Sequence, residues 1–156
     1  MLEGQAAEWA AERATDADLQ RIDQAFKTLS EAFAAEDMEH RSSSDIAFHQ
    51  AIGEASHNAL IGHLSAALLR LMHDNIRLNL GELKSIPAAG KLLLSQHAAI
   101  HAAIVERKPQ AAKAAAETHI DFVRETLAQS LRSAARRETA ARRLSTEFSV
   151  SESQPS

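Results

Sequence analysis

Apolar residues recur every three or four positions along most of this chain, a pattern that predicts amphipathic helices rather than strands. The first such segment predicts a short helix from Leu2 to Arg13. A second helix is expected after Thr15, which is a suitable N-cap. Its apolar face would consist of five residues at helical spacing: Leu19, Ile22, Phe26, Leu29 and Phe33.

The middle of the chain predicts two further helices. The charged stretch 36–41 is expected to be a loop, and the serines at 42–44 are expected to cap a third helix that runs to about Ser56. A break at His57 and Asn58 precedes a long fourth helix over about 59–83. The apolar stripe of this fourth helix is expected to be formed by five leucines: Leu60, Leu64, Leu68, Leu71 and Leu78.

Proline and glycine mark the remaining boundaries. The segment 86–90 is expected to be a loop because it holds a proline and a glycine, and a fifth helix follows over about 91–107. Pro109 suits the first turn of a sixth helix, which is expected to end near Ser133. Six helices joined by short connections predict an all-α fold, an antiparallel bundle of about six helices.

The composition agrees with this fold class and limits the kinds of site and the cellular location that we expect. Aromatic residues make up only 4% of the chain, while alanine and other good helix formers are abundant. There is no cysteine, so neither a disulfide nor a thiolate ligand is available. No apolar run approaches the roughly 20 residues of a membrane span, and the first residues do not form a secretory signal. We therefore expect a cytoplasmic protein with no membrane contact.

Charge divides the chain into two parts. The formal net charge of −4 argues against a stand-alone nucleic-acid-binding domain, which would usually be basic. We expect a helical domain over residues 1–133, then an arginine-rich helix end and a disordered, Ser- and Glu-rich tail over 134–156. A solvated helix end is the simpler interpretation of the arginines, with a partner contact as the alternative. The cluster consists of Arg132, Arg136, Arg137, Arg142 and Arg143.

Asp45 and His49 are the first candidates for chemistry. They are four residues apart in the third predicted helix, so both side chains project from one face. Phe48 and Ile52 indicate that this helix is mostly buried, and an unpaired polar group in the interior costs roughly 2–7 kcal/mol. A hydrogen bond between the two side chains would satisfy both. Spacing alone therefore favours this structural interpretation over a metal site.

Two more histidines lie on faces that are expected to point inward. His97 of the fifth helix shares a face with Ile100, and His119 lies among apolar residues of the sixth. Each histidine alone is more often a core residue with a local partner than a ligand. Together with Asp45 and His49, however, they would form a set of one carboxylate and three imidazoles. That set suits zinc and other divalent metals, with open positions for water or an anion.

Three segments, in order and at fitting separations, resemble a known family: SDIAFHQAIGEASHN, QHAAIHAAI and AAAETHIDFVRETL. They resemble the fatty-acid-regulator C-terminal (FCD) domain of GntR-family transcription factors, and LEGQAAEWAAERAT resembles its opening. The resemblance covers residues 2 to about 131. In metal-binding members the aspartate and three histidines of this pattern are the ligands, which implies a divalent metal, with zinc the first candidate and nickel another. The implied ligands are Asp45, His49, His97 and His119.

The resemblance implies a ligand-sensing domain that is not an enzyme. A metal held by three neutral imidazoles and one carboxylate would keep a net charge of about +1 and attract a small carboxylic acid. A 2-hydroxy or 2-keto group would add a second donor. The segments LEGQAAEWAA and FHQAIGEASHN are similar to the glycolate- and lactate-responsive branch of the family. Arg77 is expected to pair with the acid, with a surface salt bridge equally open. Asn75 and Asn79 are weaker candidates for this pocket.

The resemblance also implies a homodimer and a winged helix-turn-helix domain ahead of the sensing domain. Since this sequence contains no such segment, we expect operator DNA to be bound only through a domain outside this chain. Two alternatives stay open. One is a metal-dependent enzyme in which His101 and Glu106 would serve as acid or base. The other is a structural metal that locks the bundle without an effector.

Overall fold

The computed structural model describes residues 1–35, 37–79 and 87–151, without the side chains of 38, 72–79, 87–89, 130 and 143–151. These described residues form six helices and no strand, which confirms the predicted all-α class. The helices are α1 (Leu2–Arg13), α2 (Asp16–Ala34), α3 (Met38–Ala55), α4 (Ala59–Asn79), α5 (Pro87–Val105) and α6 (Pro109–Ser151).

Several helix ends are as the sequence predicts. The Thr15 hydroxyl accepts a hydrogen bond from the backbone N–H of Asp18, and the Asp18 carboxylate accepts one from the Thr15 N–H, which completes a capping box at the start of α2. Pro109 opens α6, where its missing N–H removes no helical hydrogen bond. His57 adopts a φ of 50° at the predicted break between α3 and α4.

The predicted start of α3 is wrong. Residues 38–41, expected in a loop, and the serines 42–44, expected as caps, all lie inside the helix. The cap is Asp37, whose carboxylate accepts hydrogen bonds from the backbone N–H groups of Glu39 and His40. An aspartate at this position satisfies two free donors of the first turn, so the helix begins several residues before the serines.

The predicted start of α5 and the predicted end of α6 also differ from the structure. Gly90 lies within α5 rather than in a loop, since Pro87 occupies the first helical position. α6 continues to Ser151, well beyond the predicted end near Ser133. Residues 145–151 are therefore helical, where the sequence predicts disorder.

The leucine stripe predicted for α4 faces solvent instead of the core. Its described members are all exposed: Leu60, Leu64, Leu68 and Leu71, while Leu78 lies outside the described side chains. The buried face of α4 carries Ile61, Ser65 and Leu69. This face also holds the small residue Gly62, whose Cα would lie 3.3 Å from a Cβ built on Gly53 of α3. The small side chains permit a close approach to α3, which decides which face is inward.

Four helices, α1, α3, α5 and α6, surround one interior region. α1 packs against α3, α5 and α6, and α5 packs against α6, while α2 covers α3 and α5. The core consists of alanines of α1 and larger side chains such as Phe48, Ile52, Ile100 and Ile104. Within the described ranges, no helix combines the length and the apolar character that crossing a membrane requires.

Candidate metal centre

The structure brings the four predicted ligand residues together. Asp45 and His49 project from α3, His97 from α5 and His119 from α6, and one possible ligand atom from each lies within 4.8 Å of the others. His97 Nε2 is 2.6 Å from Asp45 Oδ1, and His49 Nε2 is 4.0 Å from the same oxygen. All three imidazoles are at most 3% exposed. The cluster is therefore a buried site with three helices contributing.

The outer ring nitrogens of the histidines have hydrogen-bond acceptors, whereas two of the inner nitrogens converge on Asp45 without forming a hydrogen bond. His97 Nδ1 donates to the backbone carbonyl of Leu93 at 2.8 Å, and His119 Nδ1 donates to the side-chain oxygen of Gln96 at 3.2 Å. Because these oxygens can only accept, Nδ1 carries the proton and Nε2 keeps its lone pair. The buried Nε2 atoms of His49 and His97 form no hydrogen bond.

This arrangement fits a metal better than it fits a structural Asp–His pair. A hydrogen-bonded pair would satisfy the inner nitrogens, and most buried polar atoms in proteins are satisfied. Metal-binding histidines, by contrast, donate their outer N–H to a carbonyl or carboxylate and direct the other nitrogen at the ion. Three imidazoles and one carboxylate are a donor set that zinc accepts, although other divalent metals accept it as well.

The electrostatics of the cluster also suit a cation. Burial, together with the neighbouring His49 and His97, lowers the pKa of His119 to about 2, so its imidazole is neutral. Burial alone would lower the pKa of His49, but the Glu3 and Asp45 carboxylates outweigh it and raise that pKa. The site thus combines a neutral imidazole with buried negative charge.

Glu3 is a member of the site that the sequence analysis missed. It lies in the first turn of α1, is 3% exposed, and places Oε2 3.5 Å from His49 Nδ1. Burial would raise its pKa, but His49, together with the Ser65 hydroxyl, outweighs this and the pKa is lowered, so the group is an ionised carboxylate. The signal that was available is the position of Glu3 on the same helical face as the buried Ala6, Ala7 and Ala10.

The side chains that are predicted to contact the effector lie outside the described ones, so their role stays a prediction. They are those of Arg77, Asn75 and Asn79. The tail arginines Arg132 and Arg136 are exposed, as a solvated helix end requires.

The two residues considered as acid or base for an enzyme do not join the cluster. His101 Nε2 lies 3.0 Å from Asp23 Oδ1, and its ring stacks on Phe26 of α2 with a centroid separation of 4.5 Å. Glu106 forms an ion pair with Lys108 at 2.6 Å. Both side chains therefore have partners away from the four converging residues.

Comparisons with known proteins agree with this architecture. The FCD domain family matches residues 1–122. The Glc operon transcriptional activator of Escherichia coli (strain K12) is 32% identical over 130 residues, which are 81% of this chain and 51% of that protein. The protein of the same strain that is named as the L-lactate dehydrogenase operon regulatory protein is 30% identical over 126 residues, or 81% of this chain and 47% of that one.

A solved structure supports the same conclusion. Streptococcus agalactiae GntR superimposes with a TM-score of 0.66 at 27% sequence identity, and the match covers 80% of this chain and 53% of that one. The chain spans about half the length of the curated relatives it matches. Since the family match extends over most of its residues, this chain belongs to the FCD domain family of GntR-type transcription regulators.

Proposed function

We propose that this chain is the ligand-sensing domain of a GntR-family transcription regulator and that it binds a divalent metal together with a small carboxylic acid. The proposed ligands are Asp45, His49, His97 and His119. One observation carries the proposal: two buried Nε2 atoms, those of His49 and His97, form no hydrogen bond although they lie beside a carboxylate. Burial of unsatisfied nitrogens is costly, and coordination of a cation offsets that cost.

The proposed effector is a 2-hydroxy or 2-keto acid such as glycolate or lactate. When bound, a divalent metal with open coordination positions supplies Lewis-acidic sites for the oxygens of such an acid. The name of one relative, a regulatory protein of an L-lactate dehydrogenase operon, supports this class of acid. Arg77 is proposed to pair with the acid carboxylate, and Asn75 and Asn79 are proposed to line the same pocket.

The proposed output is a change of helix packing. The candidate ligands come from α3, α5 and α6, so filling the site would favour one relative position of these helices over others. In a full-length homodimer this change would reposition DNA-binding domains that lie outside the present chain. Scattering curves of the full-length protein that are identical with and without the acid would contradict this part of the proposal.

The decisive experiment is metal analysis of the purified chain, followed by calorimetric titration with glycolate, lactate and pyruvate. His97→Ala is expected to abolish both metal content and acid binding, because it removes a nitrogen at the centre of the cluster. His101→Ala is the matched control: it lies one turn further along α5 and pairs with Asp23 instead. Undiminished metal content in His97→Ala would refute the proposed site.

The same samples separate the two alternatives from the sensing function. A metal-loaded chain whose melting temperature ignores every acid tested would support a purely structural metal. Turnover of an acid or ester by the metal-loaded chain would support an enzyme. Stoichiometric acid binding without turnover is the result expected for a sensor.

A further inference from the structure

Glu3 is not among the proposed ligands, yet it is as buried as the histidines. Its Oε2 lies 3.5 Å from His49 Nδ1, and the Ser65 hydroxyl is its other polar neighbour. Among the side chains that the structure describes, His49 is the only group in contact with Glu3 that can carry positive charge. A carboxylate in the interior is unfavourable unless a positive group compensates it, so the location of Glu3 requires a physical reason.

We propose that Glu3 is a positioning residue for the metal site: its carboxylate accepts the Nδ1 proton of His49 and so keeps His49 Nε2 directed at the metal. This inference rests on the proposed metal site. His97 and His119 have neutral acceptors for their outer nitrogens, a backbone carbonyl and a glutamine oxygen. The outer nitrogen of His49 instead faces a carboxylate, that of Glu3. A carboxylate makes the imidazole a stronger donor to the metal than a neutral acceptor does.

Glu3 also changes the charge that the interior must hold. A divalent metal, one aspartate and three neutral imidazoles together carry a net charge of about +1. The Glu3 carboxylate, in contact with one of these imidazoles, brings the buried group close to neutrality. The metal in turn compensates Glu3 once His49 is a neutral ligand, so each charge lowers the cost of burying the other.

The backbone of α1 holds Glu3 in place. A Cβ built on the adjacent Gly4 would lie 2.7 Å from Glu117 Cγ, so the glycine lets the first turn of α1 lie directly against α6. Glu117 is two residues before His119, so the same turn of α1 contacts both α3 and the ligand-bearing part of α6. Glu3 thereby connects α1, a fourth helix, to the site.

The test compares Zn²⁺ affinity in three variants, measured by competition with a chelating dye. Glu3→Leu is expected to weaken Zn²⁺ binding about ten- to a hundred-fold, the range typical for loss of a group that orients a ligand. Glu3→Gln is expected to recover part of this loss, because its amide oxygen still accepts the Nδ1 proton. Glu8→Gln is the matched control, since Glu8 is a carboxylate of the same helix that pairs with Lys113 of α6 at 2.8 Å. It should leave the affinity unchanged.

A second measurement separates positioning from general loss of structure. The absorption spectrum of bound Co²⁺ reports the ligand geometry, and it is expected to change in Glu3→Leu but not in Glu8→Gln. Zn²⁺ affinity equal to wild type in Glu3→Leu, with none in His97→Ala, would overturn the role of Glu3 and leave the metal site standing. Equal weakening in Glu3→Leu and Glu8→Gln, with equal loss of helical circular dichroism, would also overturn it. A wild-type chain that binds no Zn²⁺ would overturn both proposals.

Discussion

Two of the carboxylate–histidine groups in this domain differ in how their polar atoms are satisfied. Asp18 Oδ2 accepts hydrogen bonds from the Thr15 backbone at 2.9 Å and from the Thr15 hydroxyl at 2.7 Å, and it lies 2.9 Å from His57 Nε2. Around Asp45, two buried imidazole nitrogens form no hydrogen bond. The first group is complete in itself and ties α2 to the α3–α4 turn. The second leaves converging lone pairs, which is what distinguishes a ligand set from a structural pair.

The largest expected effect concerns stabilisation by metal. Zn²⁺ at a thousand times its Kd is expected to stabilise the wild-type fold by about 4 kcal/mol, because only the folded chain presents the site. His119→Leu is expected to lose this increment while its metal-free stability stays equal or rises, since a buried polar ring is replaced by an apolar side chain. Thermal unfolding with and without Zn²⁺ measures both quantities.

The control for that experiment comes from the satisfied group. His57→Leu removes the histidine beside Asp18, and its half-exposed ring lies outside the metal cluster. This variant should keep the full Zn²⁺ increment. If Zn²⁺ stabilises His119→Leu as much as it stabilises the wild type, the proposed difference between the two groups is wrong.

An intermediate effect is expected at acid pH. The backbone N–H of Thr15, with help from the Thr15 hydroxyl and His57, lowers the pKa of Asp18 from 3.8 to about 2. Because the folded pKa is below the unfolded one, Asp18 adds stability above about pH 4, and this is lost as the pH falls towards 2. Asp18→Asn is expected to cost about 1–2 kcal/mol at pH 7 and to flatten the loss between pH 4 and 2.

Urea unfolding across that pH range, with Zn²⁺ affinity measured at pH 7, checks the Asp18 prediction. The affinity should be unchanged in Asp18→Asn, because Asp18 belongs to the group that needs no metal. The same acid slope in variant and wild type would show that the capping box does not depend on the charge of Asp18.

The smallest expected effect is a change in stability at the contact between α3 and α4. A Cβ on Gly53 would lie 3.3 Å from Gly62 Cα, whereas a Cβ on Gly62 would meet its nearest atom, the Gly53 carbonyl oxygen, at 3.6 Å. Gly53→Ala is therefore expected to lower stability by about 1 kcal/mol, since crowding outweighs the gain in helix propensity. Gly62→Ala should be neutral or slightly stabilising. Melting temperatures in the reverse order would contradict this account of the α3–α4 contact.

The four candidate ligands lie on helical faces that their apolar neighbours define, but the resemblance to the FCD domain, not their spacing, implies that they are ligands. Phe48 and Ile52 place His49 inward, and Ile100 does the same for His97. The partners of these histidines were harder to find. An acidic residue in the first turn of a helix is readily explained by the helix dipole, so the sequence alone gives no reason to place Glu3 in the site. Only the three-dimensional packing of α1 against α3 shows that its carboxylate is buried beside His49.

The orientation of α4 was not predictable from periodicity. Leu60, Leu64 and Leu68 form one stripe at helical spacing, while Ile61 and Leu69 belong to a second one displaced by one residue. Hydrophobicity favours the leucine stripe, but the close contact with α3 requires small residues, and Gly62 and Ser65 of the other face meet Gly53 there. Pattern analysis therefore identifies that a helix is present better than it identifies the face that is buried.

The length of α6 has a thermodynamic consequence. From Leu131 to Arg142 its described side chains are exposed, apart from the partly buried Ala134. This part of the helix gains almost nothing from the bundle, so it depends on intrinsic propensity and on local pairs such as Arg142 with Glu138. Such a segment undergoes a gradual helix–coil transition rather than a cooperative one. One continuous helix thus joins two kinds of melting behaviour, and His119 lies in the cooperative part.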